Sequence, residues 1–152
     1  MISNKLQDAI NNQIQAEMDS AYIYLAMSVY SESKNLRGFA HWLKTQYTEE
    51  MSHAFKLLDY LTERGGTVTL KAIPAPAEEF GTPVEVFEKV LAHEVHVTSL
   101  ITKLYELAIA EKDYAAQIFL QWFIEEQVEE EGNATAILER LKMIGTSNGS
   151  LL

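Results

Sequence analysis

Four stretches of this chain carry apolar residues at three- and four-residue steps, and near the middle of each a glutamate breaks the stripe. The period is that of amphipathic helices. The first stripe reads Leu6, Ile10, Ile14, Glu17, Ala21, Leu25 and Ser28. The second reads Leu36, Phe39, Leu43, Glu50, Leu57 and Leu61. The third reads Val84, Phe87, Leu91, Glu94, Thr98, Ile101, Tyr105 and Ala108. The fourth reads Ala116, Leu120, Phe123, Gln127, Glu130, Ala134, Ile137 and Leu141. One such glutamate is easily satisfied by rotating its helix toward water. Four at corresponding heights are not. An unpaired buried carboxylate is costly even after relaxation, the four would repel one another, and no lysine or arginine lies on these inner stripes near them. A cation is the remaining compensation, and two divalent ions would balance four carboxylates.

The stretches between the stripes fix how the helices connect. Ser3 or Asn4 can cap the first helix, with Gln7 three residues after Asn4, and Lys34-Asn35 ends it. The second helix follows at once, which makes the two antiparallel neighbours. Gly65-Gly66 stops it. From Thr67 to Gly81 the helical period disappears: Val68-Thr69-Leu70 reads as extended, and Pro74 and Pro76 forbid a helix. A connection this long inside a compact domain needs a reason. A crossover along a bundle supplies one, and lets the third helix run parallel to the second. Thr82, Pro83 and Glu85 form a capping box with proline at the first helical position. Lys112-Asp113 is a tight junction with Asp113 as the next cap, and Gly145 is expected to end the fourth helix. The expected fold is all-α, a four-helix bundle with a long crossover between helices 2 and 3, in a single domain over 1–152.

Composition excludes several classes. Acidic residues outnumber basic ones 22 to 12, a net charge of −10, which argues against a nucleic-acid groove and favours attraction of cations. No apolar run reaches membrane-spanning length. No basic segment followed by an apolar run opens the chain, so a cytoplasmic location is expected. Cysteine is absent, leaving no disulfide and no thiolate ligand. His53 lies three residues after Glu50 and so shares its helix face. Carboxylates with one imidazole disfavour structural zinc, calcium has little use for the imidazole, and mixed oxygen and nitrogen ligands suit iron or manganese. Iron is preferred, because a bridged carboxylate pair suits redox and O₂ chemistry.

Taken together, Glu17, Glu50-x-x-His53, Glu94 and Gln127-x-x-Glu130, with the crossover after Gly66, resemble the ferritins of the non-haem bacterial type over nearly the whole chain. Ferritin-like di-iron proteins build such a site in a bundle core. The resemblance implies a ferroxidase centre, where Fe²⁺ is oxidised by O₂ or peroxide and Fe³⁺ passes inward as mineral in a shell of twenty-four subunits. Glu17, Glu50 and His53 would hold one iron. Glu50, Glu94 and Glu130 would hold the other, with Glu50 bridging and Gln127 close by. Haem-containing relatives carry a second Glu-x-x-His on the fourth helix. Gln127-x-x-Glu130 stands there instead, so two unequal irons and no haem are implied, and Met51 is packing. The resemblance also implies a third iron at Glu49, Glu126 and Glu129 with Glu130 shared. The alternative is a solvated acidic face continuing through Glu125 and Glu131. Periodicity makes Tyr24 core, and the resemblance makes it a redox-active partner. Trp122 is expected to pack, and His41, His93 and His96 to lie at the surface or on helix flanks. Ferritins usually continue into a short fifth helix, and none is expected in this sequence, which puts the shell channel such a helix lines in doubt.

Three functions follow. The chain is an iron-oxidising storage ferritin, a di-iron oxidase or peroxide scavenger that does not mineralise, or a metal-free structural bundle. The first is preferred.

Overall fold

The computed structural model describes residues 1–146. Four helices follow one another: α1 (Asn4–Ser33), α2 (Arg37–Glu63), α3 (Pro83–Ala110) and α4 (Tyr114–Thr146). Among the described residues there is no strand. The expected absence of a fifth helix concerns residues 147–152, outside the described residues.

The helix ends are chemically specified. Ser3 Oγ accepts from the Leu6 amide at 3.2 Å, and Thr82 and Glu85 close the reciprocal capping box that opens α3. Asp113 Oδ1 accepts from the Ala116 amide at 3.0 Å. Asn35 takes φ 60° to turn α1 into α2, and Gly65 takes φ 77° after α2. A side chain at Gly66 would run into Leu61. Gly145 does not end α4, which stays helical to Thr146. A helical glycine costs about 1 kcal/mol relative to alanine.

The crossover is tied to α1 along its length. Asn11 binds it with both ends of its amide, Nδ2 donating to the Thr67 carbonyl at 2.9 Å and Oδ1 accepting from the Thr69 amide at 2.8 Å. Gln15 donates to the Ala72 carbonyl at 2.7 Å, and Tyr30 to that of Gly81 at 2.7 Å. The segment thus leaves near the start of α1 and arrives near its end. Because α2 is antiparallel to α1, α3 starts where α2 started and runs parallel to it.

Packing divides the interior into two apolar clusters. Leu6, Ile10, Ile14, Leu57, Ile101, Leu120 and Phe123 fill one. Tyr24, Met27, Leu43, Phe87, Val90 and Leu138 fill the other. Each fully buried aliphatic side chain contributes about 1.5–3 kcal/mol, so the two clusters offset the cost of a polar layer between them. That layer holds the four glutamates. On α1 it separates Ile14 from Tyr24, and on α2 Leu43 from Leu57. The inner face of α3 is rotated from the expected stripe: Val86, Val90, Val97 and Leu104 are buried, while Val84, Leu91, Thr98 and Tyr105 are only half-buried. Leu25 is likewise half-buried, and Tyr24 and Met27 fill the inner face of α1 there.

Candidate metal centre

Each helix delivers one glutamate to the polar layer, and all four are buried: Glu17, Glu50, Glu94 and Glu130. His53 joins them one turn after Glu50. Oxygen and nitrogen atoms of Glu17, Glu50 and His53 lie within 4.8 Å of one another, as do oxygens of Glu50, Glu94 and Glu130. The two groups share Glu50. His53 Nδ1 is 3.3 Å from Glu50 Oε2 and 3.9 Å from Glu17 Oε2. Ligand atoms about 2.0–2.2 Å from a common ion stand at such separations.

The hydrogen bonds distinguish the four carboxylates. Both oxygens of Glu94 are anchored: Tyr24 Oη donates to Oε1 at 2.5 Å and Gln127 Nε2 to Oε2 at 3.1 Å. Glu17 is half-anchored, with Gln13 Nε2 donating to Oε1 at 3.2 Å and Oε2 left without a partner. Glu50 has no partner on either buried oxygen. Orphaned buried acceptors are rare and call for an explanation. Here they converge where a pair of cations would sit, so the donor set fits the group that the sequence implied. Among the described residues no lysine or arginine pairs with any of the four.

Without a cation the cluster must share protons. Burial pushes Glu50 well above the carboxylate range, outweighing the opposing pull of the His53 imidazole beside it. Burial also acts to raise Glu17, yet the neighbouring His53, Glu50 and Gln13 bring it below its ordinary value. Burial lowers His53, but its two carboxylate partners overcome this and lift it to about 10. Burial, then the charge of Glu94, raises Glu130 to about 8. Glu94 itself is raised, chiefly by burial. Charge is therefore concentrated on a Glu17–His53 pair, and Glu50 and Glu130 hold protons that a cation would displace.

A third group of oxygens, from Glu49, Glu126 and Glu130, also lies within 4.8 Å. Glu126 in this group is half-buried. The expected Glu129 does not join them and is exposed. Glu126 and Glu130 stand four apart on one face of α4, and Glu129, one residue before Glu130, stands about 100° round the helix from it. Gln127 lies beside Glu94, as expected, bonding its side chain and its backbone carbonyl.

Several neighbours were not singled out by sequence. Gln13 lies four residues before Glu17, a spacing that could have flagged it. Thr98 Oγ1 donates to Glu131 Oε2 at 2.5 Å and accepts from Gln127 at 3.2 Å. His93 is half-buried, on the flank of α3. Its Nε2 meets Ser20 Oγ at 2.6 Å, and its ring stands edge-on to Tyr24. Burial lowers its pKa. His41 and His96 are exposed. Trp122 packs edge-on against His53 with centroids 5.3 Å apart, and Lys56 Nζ sits 3.5 Å from the indole centroid.

Comparison with known proteins agrees with this geometry. The ferritin-like domain family matches residues 7–144. The chain belongs to the ferritin family. The bacterial non-heme ferritin of Bacteroides fragilis (strain 638R) is 50% identical over 145 residues, 95% of this chain and 91% of that one. That of Staphylococcus saprophyticus is 39% identical over 151 residues, 99% of this chain and 90% of the other. The open pore ferritin of Archaeoglobus fulgidus superposes with a TM-score of 0.94 at 48% identity, covering 95% of this chain and 90% of that one. This ferritin therefore shares its bundle with both bacterial and archaeal relatives, and its carboxylate and histidine groups are placed to bind metal. Among the described residues no helix is long and apolar enough to cross a membrane.

Proposed function

We propose that this ferritin binds Fe²⁺ in pairs, oxidises it and stores the Fe³⁺ as mineral. One observation carries the reading: Glu50 lies in both buried ligand groups with neither carboxylate oxygen hydrogen-bonded. A side chain left free on both oxygens is suited to bridge two ions. Glu17 and His53 would complete one position, Glu94 and Glu130 the other. Iron is the substrate. Two Fe²⁺ give up two electrons, which with two protons reduce O₂ to H₂O₂, or reduce H₂O₂ to two waters.

The residues act by holding ligand positions and protons. Tyr24 and Gln127 fix Glu94, and Gln13 fixes Glu17, so these carboxylates are preorganised. Glu50 and Glu130 release their protons as cations bind. Glu130 also faces Glu49 and Glu126, so it can pass an ion from the paired site toward a third position. Family membership supports the remaining elements of this reading, a homo-oligomeric shell of twenty-four subunits and a cytoplasmic location, and Gln127-x-x-Glu130 in place of a second Glu-x-x-His supports the absence of haem.

The test is iron loading. The metal-free protein is mixed with Fe²⁺ at about two ions per subunit, the stoichiometry of a paired-metal site, and oxidation is followed by stopped-flow absorbance. Larger additions are followed by sedimentation. Storage requires many more ions per subunit than the paired and third positions hold, and a faster-sedimenting particle. Fast oxidation that stops at two or three ions would point to an oxidase that does not mineralise.

A further inference from the structure

His53 faces two carboxylate groups with its two nitrogens. Nδ1 points to Glu50 and Glu17, and Nε2, across the ring, lies 3.9 Å from Glu126 Oε1. We propose that Glu126 is a positioning residue that holds His53 by Nε2 and thereby aims Nδ1 at the cation shared with Glu17 and Glu50. The inference rests on the paired-cation reading above.

A neutral imidazole has one N–H and one lone pair. If Nδ1 gives its lone pair to a cation, Nε2 carries the proton and needs an acceptor. Metal-bound histidines almost always find one, which fixes tautomer and ring orientation. Among the described residues Glu126 is the group paired with Nε2. The present separation exceeds a hydrogen bond, but the Glu126 side chain is 21% exposed and has room to close it. Among the described residues the ring is otherwise held by aromatic neighbours, Trp122 at 5.3 Å and Phe123 at 6.2 Å between centroids. Those contacts restrict its tilt but do not tell one nitrogen from the other. Trp122 and Glu126 are four apart, so one face of α4 provides both the wall and the anchor.

The experiment titrates metal-free protein with Co²⁺ alone, without oxygen, below one ion per subunit. It reads the affinity of the tightest site and its visible ligand-field spectrum. Removing such a partner typically lowers metal affinity about 10–100-fold, and that loss, with a changed spectrum, is expected for Glu126→Ala. Glu126→Gln, whose amide oxygen still accepts, should recover most of it. Glu125→Ala removes an equal charge one residue away and should match the parent, which separates positioning from bulk electrostatics. With His53→Ala as background, Glu126→Ala should change affinity by less than about twofold, since the coupling is gone. Circular dichroism confirms that each variant is folded. A Glu126→Ala protein with the parent's affinity and spectrum overturns the proposal. So does an effect that persists undiminished without His53, because Glu126 would then act as a ligand in its own right. A parent with no tight Co²⁺ site refutes the paired-cation reading itself, and the proposal with it.

Discussion

Tyr24 donates its hydroxyl proton to Glu94 Oε1 across 2.5 Å, while Gln127 occupies the opposite oxygen. Glu94 thus enters the centre with both oxygens oriented, where Glu50 enters with neither. Burial, reinforced by the charge of Glu94, raises Tyr24 well above its ordinary pKa, so the hydroxyl stays a donor throughout the physiological range. Tyr24→Phe deletes that donor and keeps the ring in its apolar cluster. A hydrogen bond to a charged group is worth about 1.5–3 kcal/mol, so affinity for Zn²⁺ at the Glu50–Glu94–Glu130 position should fall at least about tenfold. The Glu17–Glu50–His53 position should hold. Calorimetric titration resolves the two, and an unchanged isotherm would deny Tyr24 an orienting role.

The shared protons make stability depend on pH. Glu130 sits at about 8 in the folded chain against an ordinary 4.5, and His53 at about 10 against 6.5. Both are raised, so the folded chain binds these protons more tightly than the unfolded one. The stability they add is complete below the ordinary values and disappears as pH climbs through the folded ones. Glu17 runs the other way, since its pKa is lowered, and its contribution is lost only as pH falls below the ordinary carboxylate range. Metal-free protein should therefore melt at lower temperature at about pH 9 than at about pH 5.5. Zn²⁺ binds the deprotonated ligands and should stabilise more as pH rises. Melting curves with and without saturating Zn²⁺ check both slopes; parallel curves would mean that these protons and the metal do not compete.

The candidate centre is legible because four glutamates interrupt four stripes at corresponding heights, and four buried charges together are too costly to be accidental. The helix ends were legible where chemistry dictates geometry, at Ser3, Asn35, Thr82 and Asp113. The side of α3 that faces inward was not. Phe87, Glu94, Ile101 and Ala108 mark the middle of its face, and both flanks are apolar. Val84 and Leu91 line one, Val90, Val97 and Leu104 the other. Sequence cannot choose between equal flanks; the neighbouring helices decide. Contacts between distant segments were equally hidden. Nothing in Asn11 or Gln15 announces that each would clasp a crossover more than fifty residues away. The acidic run on α4 shows charge but not which members converge: Glu126 and Glu129 are three apart and share a face, yet it is Glu126 whose oxygens meet those of Glu49 and Glu130.

The two helical hairpins are joined at one end by Arg64, which grips Asp113 with Nη1 at 3.0 Å from Oδ1 and Nη2 at 2.8 Å from Oδ2. Asp113 also caps α4 through the Ala116 amide. Both duties end in Asp113→Ala, while Asp113→Asn keeps a capping oxygen and loses the ion pair. A lost cap costs about 0.5–2 kcal/mol, and a partly exposed ion pair up to about 1 kcal/mol. Denaturant unfolding should rank stability as parent, then Asn, then Ala. Equal stability of the Asn and Ala variants would leave the cap without weight.

The paired site is tested most directly by removing its shared ligand. Glu50 lies in both buried groups and Glu130 in the second and third. Glu50→Ala should abolish fast paired oxidation, because each position loses a ligand and the bridge is gone. Glu130→Ala should weaken the second ion and leave the first held by Glu17, Glu50 and His53. Glu129→Ala should leave binding and oxidation at the paired site unchanged, since that side chain is exposed and joins no group. All three should fold: each of the first two deletions removes a buried carboxyl group at the expense of a small cavity, and the third lies in solvent. Stopped-flow absorbance at about two Fe²⁺ per subunit, paired with Zn²⁺ stoichiometry from calorimetry, separates them. Parent-like oxidation by Glu50→Ala would move the paired centre away from the polar layer between the two apolar clusters.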